Sequence, residues 1–68
     1  MKNDKLIAAR KQSGKTQKQV AKEIKISVRN YQDYEYNINT PNVFTAIKIA
    51  KIFGTTVEKI WSSSAETL

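Results

Sequence analysis

The sequence predicts an all-α fold, a compact domain of five short helices without a strand. Apolar residues recur at spacings of three and four, the period of an α-helix that packs one face on a core. Polar residues that commonly cap helices precede these segments. The chain's two glycines, Gly14 and Gly54, stand where the first and fourth segments end. Glycine is the usual residue just beyond a helix because it adopts the left-handed conformation without strain.

Local capping signals place the first two helices. Asn3 or Asp4 caps the first, which runs to about Ser13. Thr16 caps the second, and Gln19 completes a Thr-x-x-Gln capping box. The side chains at helical spacing that are predicted to face inward are Leu6, Ala9, Arg10, Val20, Ala21 and Ile24.

Similar signals place the other three helices. Ser27 caps the third helix, which ends where an uncharged loop over residues 36–42 begins. Asn42 or Thr40 caps the fourth helix, and Thr56 caps a short fifth. The predicted core face of the fourth helix is Val43, Ala46, Ile47, Ala50 and Phe53.

Length and composition limit what the chain can be. We assign residues 1–61 to one domain with a small core, and we expect residues 62–68 to form a frayed C-terminal tail. Because the chain has no Cys and no His, disulfides and the usual zinc sites are excluded, and no metal or other cofactor is expected. No apolar run reaches membrane-spanning length and no signal peptide follows Met1, so a cytoplasmic location is expected.

Charge is distributed unevenly along the chain. The net charge of +6 divides into +7 over residues 1–29 and −1 over residues 30–68. A basic half on a small domain favours a polyanionic partner such as DNA. A lysine-rich surface in contact only with solvent would have the same charge distribution, so charge alone does not decide between a DNA-binding surface and a solvated one.

The motifs together resemble the Cro/C1-type (XRE family) helix-turn-helix domain of phage repressors and related bacterial regulators. The resemblance covers about residues 4–61 and depends on the joint spacing of its parts. These are Leu6, Arg10, Thr16, Gln17, Val20, Ala21, Ile24, Ile26, Ser27, Glu35, Pro41 and the segment AIKIAKIFGTTVEKIW at residues 46–61. The resemblance implies a lambda-repressor-like fold with the helix-turn-helix at about residues 17–36.

The sequence departs from this family at two places. Lys25 occupies the turn position where the family usually has Gly, and a left-handed lysine costs about 1 kcal/mol. Family members often carry basic residues before Pro41, whereas this loop is uncharged. Hydrogen bonds from Asn37, Asn39 or Thr40 would have to replace the expected phosphate clamp.

Candidate base-reading residues lie on the outer face of the third helix: Val28, Arg29, Gln32 and Asp33. Arg29 could bind guanine O6 and N7, Gln32 could pair with adenine or reach a phosphate, and Val28 could contact a thymine methyl. Asp33 could accept from cytosine N4, repel wrong sequences, or simply pair with Arg29 one turn earlier. A solvated or phosphate-bound Arg29 remains the alternative to base reading.

Candidate contacts to the DNA backbone surround that face. The resemblance implies a phosphate contact at Gln17, at the amino end of the second helix, where exposed N–H groups and the helix dipole favour anions. The full set of candidates is Thr16, Gln17, Asn30, Tyr36, Asn37, Asn39 and Thr40.

Two charged residues are predicted to be structural. Arg10 and Glu35 lie on otherwise apolar stripes, and a partly buried charge needs a partner. The resemblance implies a salt bridge between them that ties the first helix to the third. Tyr31, Tyr34 and Trp61 are interpreted as core aromatics, although a stacking platform for single-stranded nucleic acid would use the same residue types.

These observations predict a sequence-specific, double-stranded DNA-binding transcriptional regulator. We expect a repressor that binds a pseudo-palindromic operator as a homodimer, with the helix at 28–36 in the major groove. Phe44 and Ile52, on an outer stripe of the fourth helix, are candidates for the dimer surface. No small-molecule ligand and no enzymatic activity are expected, since no nucleophile–base pair, metal set or phosphate loop is recognisable.

The alternative is a protein-interaction module or an antitoxin-type partner protein. Such a protein would keep the fold with weak or partner-dependent DNA binding. Lys25, Asp33 and the uncharged loop support this alternative.

Overall fold

The computed structural model describes residues 2–61, and all regular structure in that range is helical. The five helices are α1 (Asp4–Ser13), α2 (Gln17–Glu23), α3 (Val28–Glu35), α4 (Val43–Ile52) and α5 (Val57–Trp61). The predicted all-α fold is therefore confirmed. The proposed tail at 62–68 lies outside the described residues.

Each helix begins at a capping residue named from the sequence. The Thr16 Oγ1 atom accepts from the Gln19 amide at 3.1 Å, and the Gln19 Oε1 atom accepts from the Thr16 amide at 2.8 Å, which completes the capping box. Where two residues were possible, the structure selects Asn3 for α1 and Asn42 for α4. The Ser27 Oγ atom caps α3 by accepting from the Asn30 amide at 3.0 Å.

Among residues 2–61, four backbone positions adopt left-handed conformations, and two of them are not glycine. Gly14 and Gly54 follow α1 and α4 with φ of 76° and 67°. Lys25, in the turn between α2 and α3, has φ of 61°, and Asn37, beyond the end of α3, has φ of 59°. Asparagine tolerates this region better than lysine because its short side chain bonds locally. The strain expected from the missing turn glycine is thus located at Lys25.

One apolar core joins all five helices. Its buried members are Leu6, Val20, Ala21, Ile24, Tyr31, Ile49, Ala50 and Ile60. The predicted inward stripe of α2 is fully represented in it. Tyr34 and Trp61 are partly buried and pack against the cluster, which agrees with their interpretation as core aromatics.

The predicted core face of α4 is partly wrong. Val43 and Ile47 are 59% and 39% exposed, whereas Ile49, which was not predicted, is fully buried beside Ala46 and Ala50. Seven of the ten residues of α4 are apolar and they lie on several sides of the helix, so their spacing does not single out one buried stripe. The stripe that contains Ile49 packs into the common core, to which α5 contributes Ile60.

A buried ion pair connects α1 to the end of α3. The Arg10 Nε atom donates to the Glu35 Oε2 atom at 2.6 Å, and the Glu35 side chain is 1% exposed. Arg10 also donates from Nη1 to the Lys15 carbonyl at 3.1 Å, and the Asn3 amide donates to the Glu35 carbonyl at 2.8 Å. Glu35 at the end of α3 therefore binds both ends of α1, the start through the Asn3 amide and the end through Arg10.

The Tyr31 hydroxyl lies in the same buried region. It makes no hydrogen bond to the described residues, and its ring meets Tyr34 edge-on with centroids 6.4 Å apart. Burial raises the pKa of the Tyr31 hydroxyl, and the nearby Glu35 carboxylate raises it further. Tyr31 is consequently a neutral core residue under ordinary conditions.

Replacing Lys25 with glycine is expected to stabilise the fold by about 1 kcal/mol, because glycine adopts positive φ without the clash that a Cβ atom causes. Urea unfolding measures the change. Lys25→Ala is the matched control, since it removes the same charge but keeps the backbone strain. Equal midpoints for the two variants would show that the turn is not strained.

Arg10→Ala is expected to destabilise the protein by about 3–5 kcal/mol, because it leaves the buried Glu35 carboxylate without its cation. Arg29→Ala is the control, since Arg29 is 84% exposed and surface ion pairs contribute less than about 1 kcal/mol. Urea midpoints of the two variants give the comparison. Similar midpoints would refute a structural role for the buried pair.

Candidate nucleic-acid interface

A tight turn orients α3 on the surface of the domain. The Ile24 amide donates to the Val20 carbonyl at 3.1 Å, and the Ile26 amide donates to the Ala21 carbonyl at 3.0 Å. Both isoleucines pack in or against the core. With its inner side anchored by Tyr31 and Glu35, α3 turns the opposite side outward. We call this side the recognition face and define it by Val28, Arg29, Gln32 and Asp33.

Arg29 is the most accessible side chain of the recognition face. It is 84% exposed, and its Nε atom lies 3.5 Å from the Asp33 Oδ1 atom. Pairing with Arg29 one turn earlier was one of the roles that the sequence analysis considered for Asp33. Because the Arg29 side chain is in solvent and the distance is long for an ion pair, the attraction is weak and little free energy holds Arg29 in place.

Asp33 is engaged within the protein. Its side chain is 14% exposed, and its Oδ2 atom accepts from the Asn39 Nδ2 atom at 3.3 Å. Its carbonyl accepts from the Ile38 and Asn39 amides at 2.9 and 3.3 Å. Asp33 therefore joins α3 to the loop that follows it, and its carboxylate already contacts two residues.

Gln32 is connected to the amino end of α2. Its Nε2 atom donates to the Gln17 Oε1 atom at 3.1 Å, and the Gln17 Nε2 atom donates to the Glu35 Oε1 atom at 2.9 Å. Both glutamines are half-buried. Hydrogen bonds thus connect Gln32, a candidate base reader, through Gln17, a candidate backbone contact, to the buried Glu35 carboxylate. Arg10 pairs with the same carboxylate.

The remaining recognition-face residue, Val28, is less exposed than its position at the start of α3 suggested. It is half-buried and packs against the core. Asn30, at the edge of the face, is exposed. Thr16 is exposed as well, but both its amide and its hydroxyl oxygen are occupied in the capping box.

The loop after α3 is held in position without charge–charge contacts of its own. Two hydrogen bonds, from the Ile38 and Asn39 amides to the Asp33 carbonyl, fix the first half of the loop. Pro41 is buried at the other end. The Lys2 Nζ atom lies 6.0 Å from the centre of the Tyr36 ring, within cation–π range. The candidate backbone contacts that this loop leaves exposed are Tyr36, Asn37, Asn39 and Thr40.

The two dimer candidates differ in exposure. Phe44 is 75% exposed at the first turn of α4, and the exposed Val43 and Ile47 lie beside it. Ile52 is half-buried and packs against the core, so its side chain contributes mainly to the fold.

Two contacts were missed from the sequence, the Gln32–Gln17 and Asp33–Asn39 hydrogen bonds. Both link side chains from different segments, and no local spacing signals them. The residue types indicated only that partners were needed, because half-buried amides and carboxylates form hydrogen bonds.

Residues 2–61 contain no group of acidic residues arranged to hold a metal ion. No helix within them is long and apolar enough to cross a membrane.

A family model described as helix-turn-helix matches residues 6–60, most of the chain. No curated protein and no solved structure matches the chain. The matched region includes all of α2, the turn and α3, together with the core residues that hold them. The chain therefore belongs to the Cro/C1-type helix-turn-helix family of DNA-binding regulators.

Proposed function

We propose that this protein is a transcriptional repressor that binds a pseudo-palindromic operator as a homodimer, with α3 in the major groove. The observation that carries the proposal is the division of α3 into two sides. Tyr31 and Glu35 anchor one side in the core, while Arg29, Gln32 and Asp33 occupy the other. A rigidly mounted helix with a chemically varied outer side suits direct reading of base edges.

Arg29 is the proposed main base reader. Its exposure and its weak pairing with Asp33 let the guanidinium turn toward a base at little cost. A guanidinium fits guanine O6 and N7 with two hydrogen bonds, which discriminates by about 1–3 kcal/mol. Asp33 would orient Arg29 through the ion pair between them. For Asp33 itself to accept from cytosine N4, its hydrogen bond with Asn39 would have to break. Val28 would supply apolar contact to a thymine methyl.

Contacts to the DNA backbone would surround the recognition face. Thr16 and Gln17 would approach one phosphate at the start of α2, and Asn30 another beside α3. On the far side, the exposed polar groups of Tyr36, Asn37, Asn39 and Thr40 would serve as neutral hydrogen-bonding partners. The lysines of α1 and α2 would provide the general attraction to the polyanion.

Dimerisation would place two α3 helices in successive major grooves about 34 Å apart. Phe44 is the proposed centre of the contact, because Val43 and Ile47 extend its exposed apolar surface along α4. Ile52 would lie at the base of that surface rather than in it.

A protein-interaction role is the second candidate, in which the domain is an antitoxin-type partner protein with weak or partner-dependent DNA binding. The same exposed apolar residues of α4, together with the exposed Ile38 of the preceding loop, favour it. The two candidates differ in whether the isolated protein selects a DNA sequence.

Selection from a random duplex DNA library at two salt concentrations tests the proposal. A palindromic sequence with fixed half-site spacing is expected. Arg29→Ala should lose the guanine preference at one position of each half-site, a discrimination of about 1–3 kcal/mol. Lys51→Ala is the control, since Lys51 is an exposed cation on α4 and should change no base preference.

Salt dependence measures how many phosphates the protein neutralises, and sequence enrichment separates the two candidates. Each neutralised phosphate contributes a slope of about −0.9 to a plot of log affinity against log salt. Salt-sensitive binding without an enriched sequence would contradict the operator reader and favour the protein-interaction role.

Phe44→Ser is expected to weaken self-association, measured by analytical ultracentrifugation with and without operator DNA. Burial of a phenylalanine side chain contributes about 1.5–3 kcal/mol, and both protomers of a symmetric dimer lose it. Gln12→Ser, an exposed and uncharged position on α1 outside the proposed DNA and dimer contacts, is the control. An association constant that is the same for Phe44→Ser and wild type would exclude Phe44 from the interface.

A further inference from the structure

We propose that Gln32 reads adenine with an amide whose orientation is set before DNA arrives, and that Gln17 and Glu35 are the positioning residues that set it. This proposal rests on the operator-binding function above and specifies one base contact within it. It follows from the direction of three consecutive hydrogen bonds.

The chain of bonds starts at the buried carboxylate. A carboxylate paired with arginine only accepts hydrogen bonds, so the Gln17 amide must present its nitrogen to it. The distances agree, with Arg10 Nε at 2.6 Å from Glu35 Oε2 and Gln17 Nε2 at 2.9 Å from Glu35 Oε1. The opposite orientation of Gln17 would place an amide oxygen against a carboxylate oxygen inside the protein.

The orientation of the Gln17 amide determines the orientation of the Gln32 amide on the recognition face. With its nitrogen turned to Glu35, Gln17 presents Oε1 toward α3, and an oxygen needs a donor. Gln32 supplies its Nε2 atom at 3.1 Å. The amide of Gln32 is consequently fixed in one of its two possible orientations by a carboxylate that it does not touch.

The free groups of Gln32 match one base. After the bond to Gln17, the Gln32 amide keeps one N–H and its Oε1 atom, and neither contacts another described residue. Adenine offers N7 as an acceptor and N6–H as a donor in the major groove, which complements this pair. Guanine offers two acceptors, N7 and O6, so the fixed Oε1 atom would face a second oxygen. The fixed orientation therefore favours adenine and disfavours guanine.

The test repeats the library selection with Gln32→Met and Gln17→Met. Methionine keeps the length and helix propensity of glutamine but cannot orient an amide. Gln32→Met should abolish an adenine preference at one position of each half-site. Gln17→Met should reduce the same preference about threefold to tenfold and leave the guanine preference of Arg29 unchanged. Gln12→Met, an exposed glutamine of α1, is the control.

Uniform loss of affinity in Gln17→Met, with every base preference kept, would identify Gln17 as a phosphate contact only and overturn the proposal. So would an operator in which Gln32→Met changes no adenine position. Failure of the wild-type protein to enrich any sequence would instead remove the operator-binding function itself.

A measurement on the free wild-type protein guards against a variant that does not fold. The side-chain amide hydrogens of Gln17 and Gln32 should exchange with solvent more slowly than those of Gln12 in nuclear magnetic resonance spectra. Equal exchange for the three residues would show that the amides are not held before binding.

Discussion

The buried carboxylate of Glu35 is the constraint on which the arrangement of the first three helices depends. Its side chain is 1% exposed, and a buried charge must be matched by both a cation and hydrogen-bond donors. Arg10 from α1 and Gln17 from α2 meet this need, while the Glu35 carbonyl holds the start of α1 through the Asn3 amide. Apolar packing is non-directional, so it brings the helices together without fixing their relative positions. The hydrogen bonds to Glu35 fix them.

The same network divides the recognition face into a fixed part and an adaptable part. Gln32 is bound to Gln17 and is half-buried, so its amide is positioned by the interior of the protein. Arg29, one turn earlier, is almost fully exposed and has only a weak partner in Asp33. A face of this kind combines one preorganised contact, which loses little conformational entropy on binding, with one long side chain that can adjust to the groove.

Local chemistry determined which features could be predicted from the sequence. Helix caps at Thr16 and Ser27 depend only on neighbouring residues, so the sequence alone indicates them. The strain at Lys25 was inferred from the resemblance, because the family usually has Gly at this turn position. The apolar stripes around Arg10 and Glu35 indicated that each charge needs a partner, and the resemblance to the family implied that the two pair with each other. The face of α4 could not be derived in this way, because Ile47 and Ile49 are equally apolar and their different burial depends on how α4 packs in the folded core. The Gln17–Gln32 bond likewise depends on the angle between two helices, which no spacing along the chain encodes.

The uncharged loop after α3 changes how such a domain would hold DNA. Asn37, Asn39 and Thr40 offer neutral groups, and neutral hydrogen bonds to phosphates release no counterions. The salt-dependent part of binding would then come from the lysines of α1 and α2 and from Lys2, whose Nζ atom lies 6.0 Å from the Tyr36 ring at the start of the loop. The loop itself would add no salt-dependent contact. The exposed side chains of Ile38, Val43 and Phe44 lie in this loop or directly after it in the chain, where apolar contact with a second protein surface would add affinity that does not depend on salt.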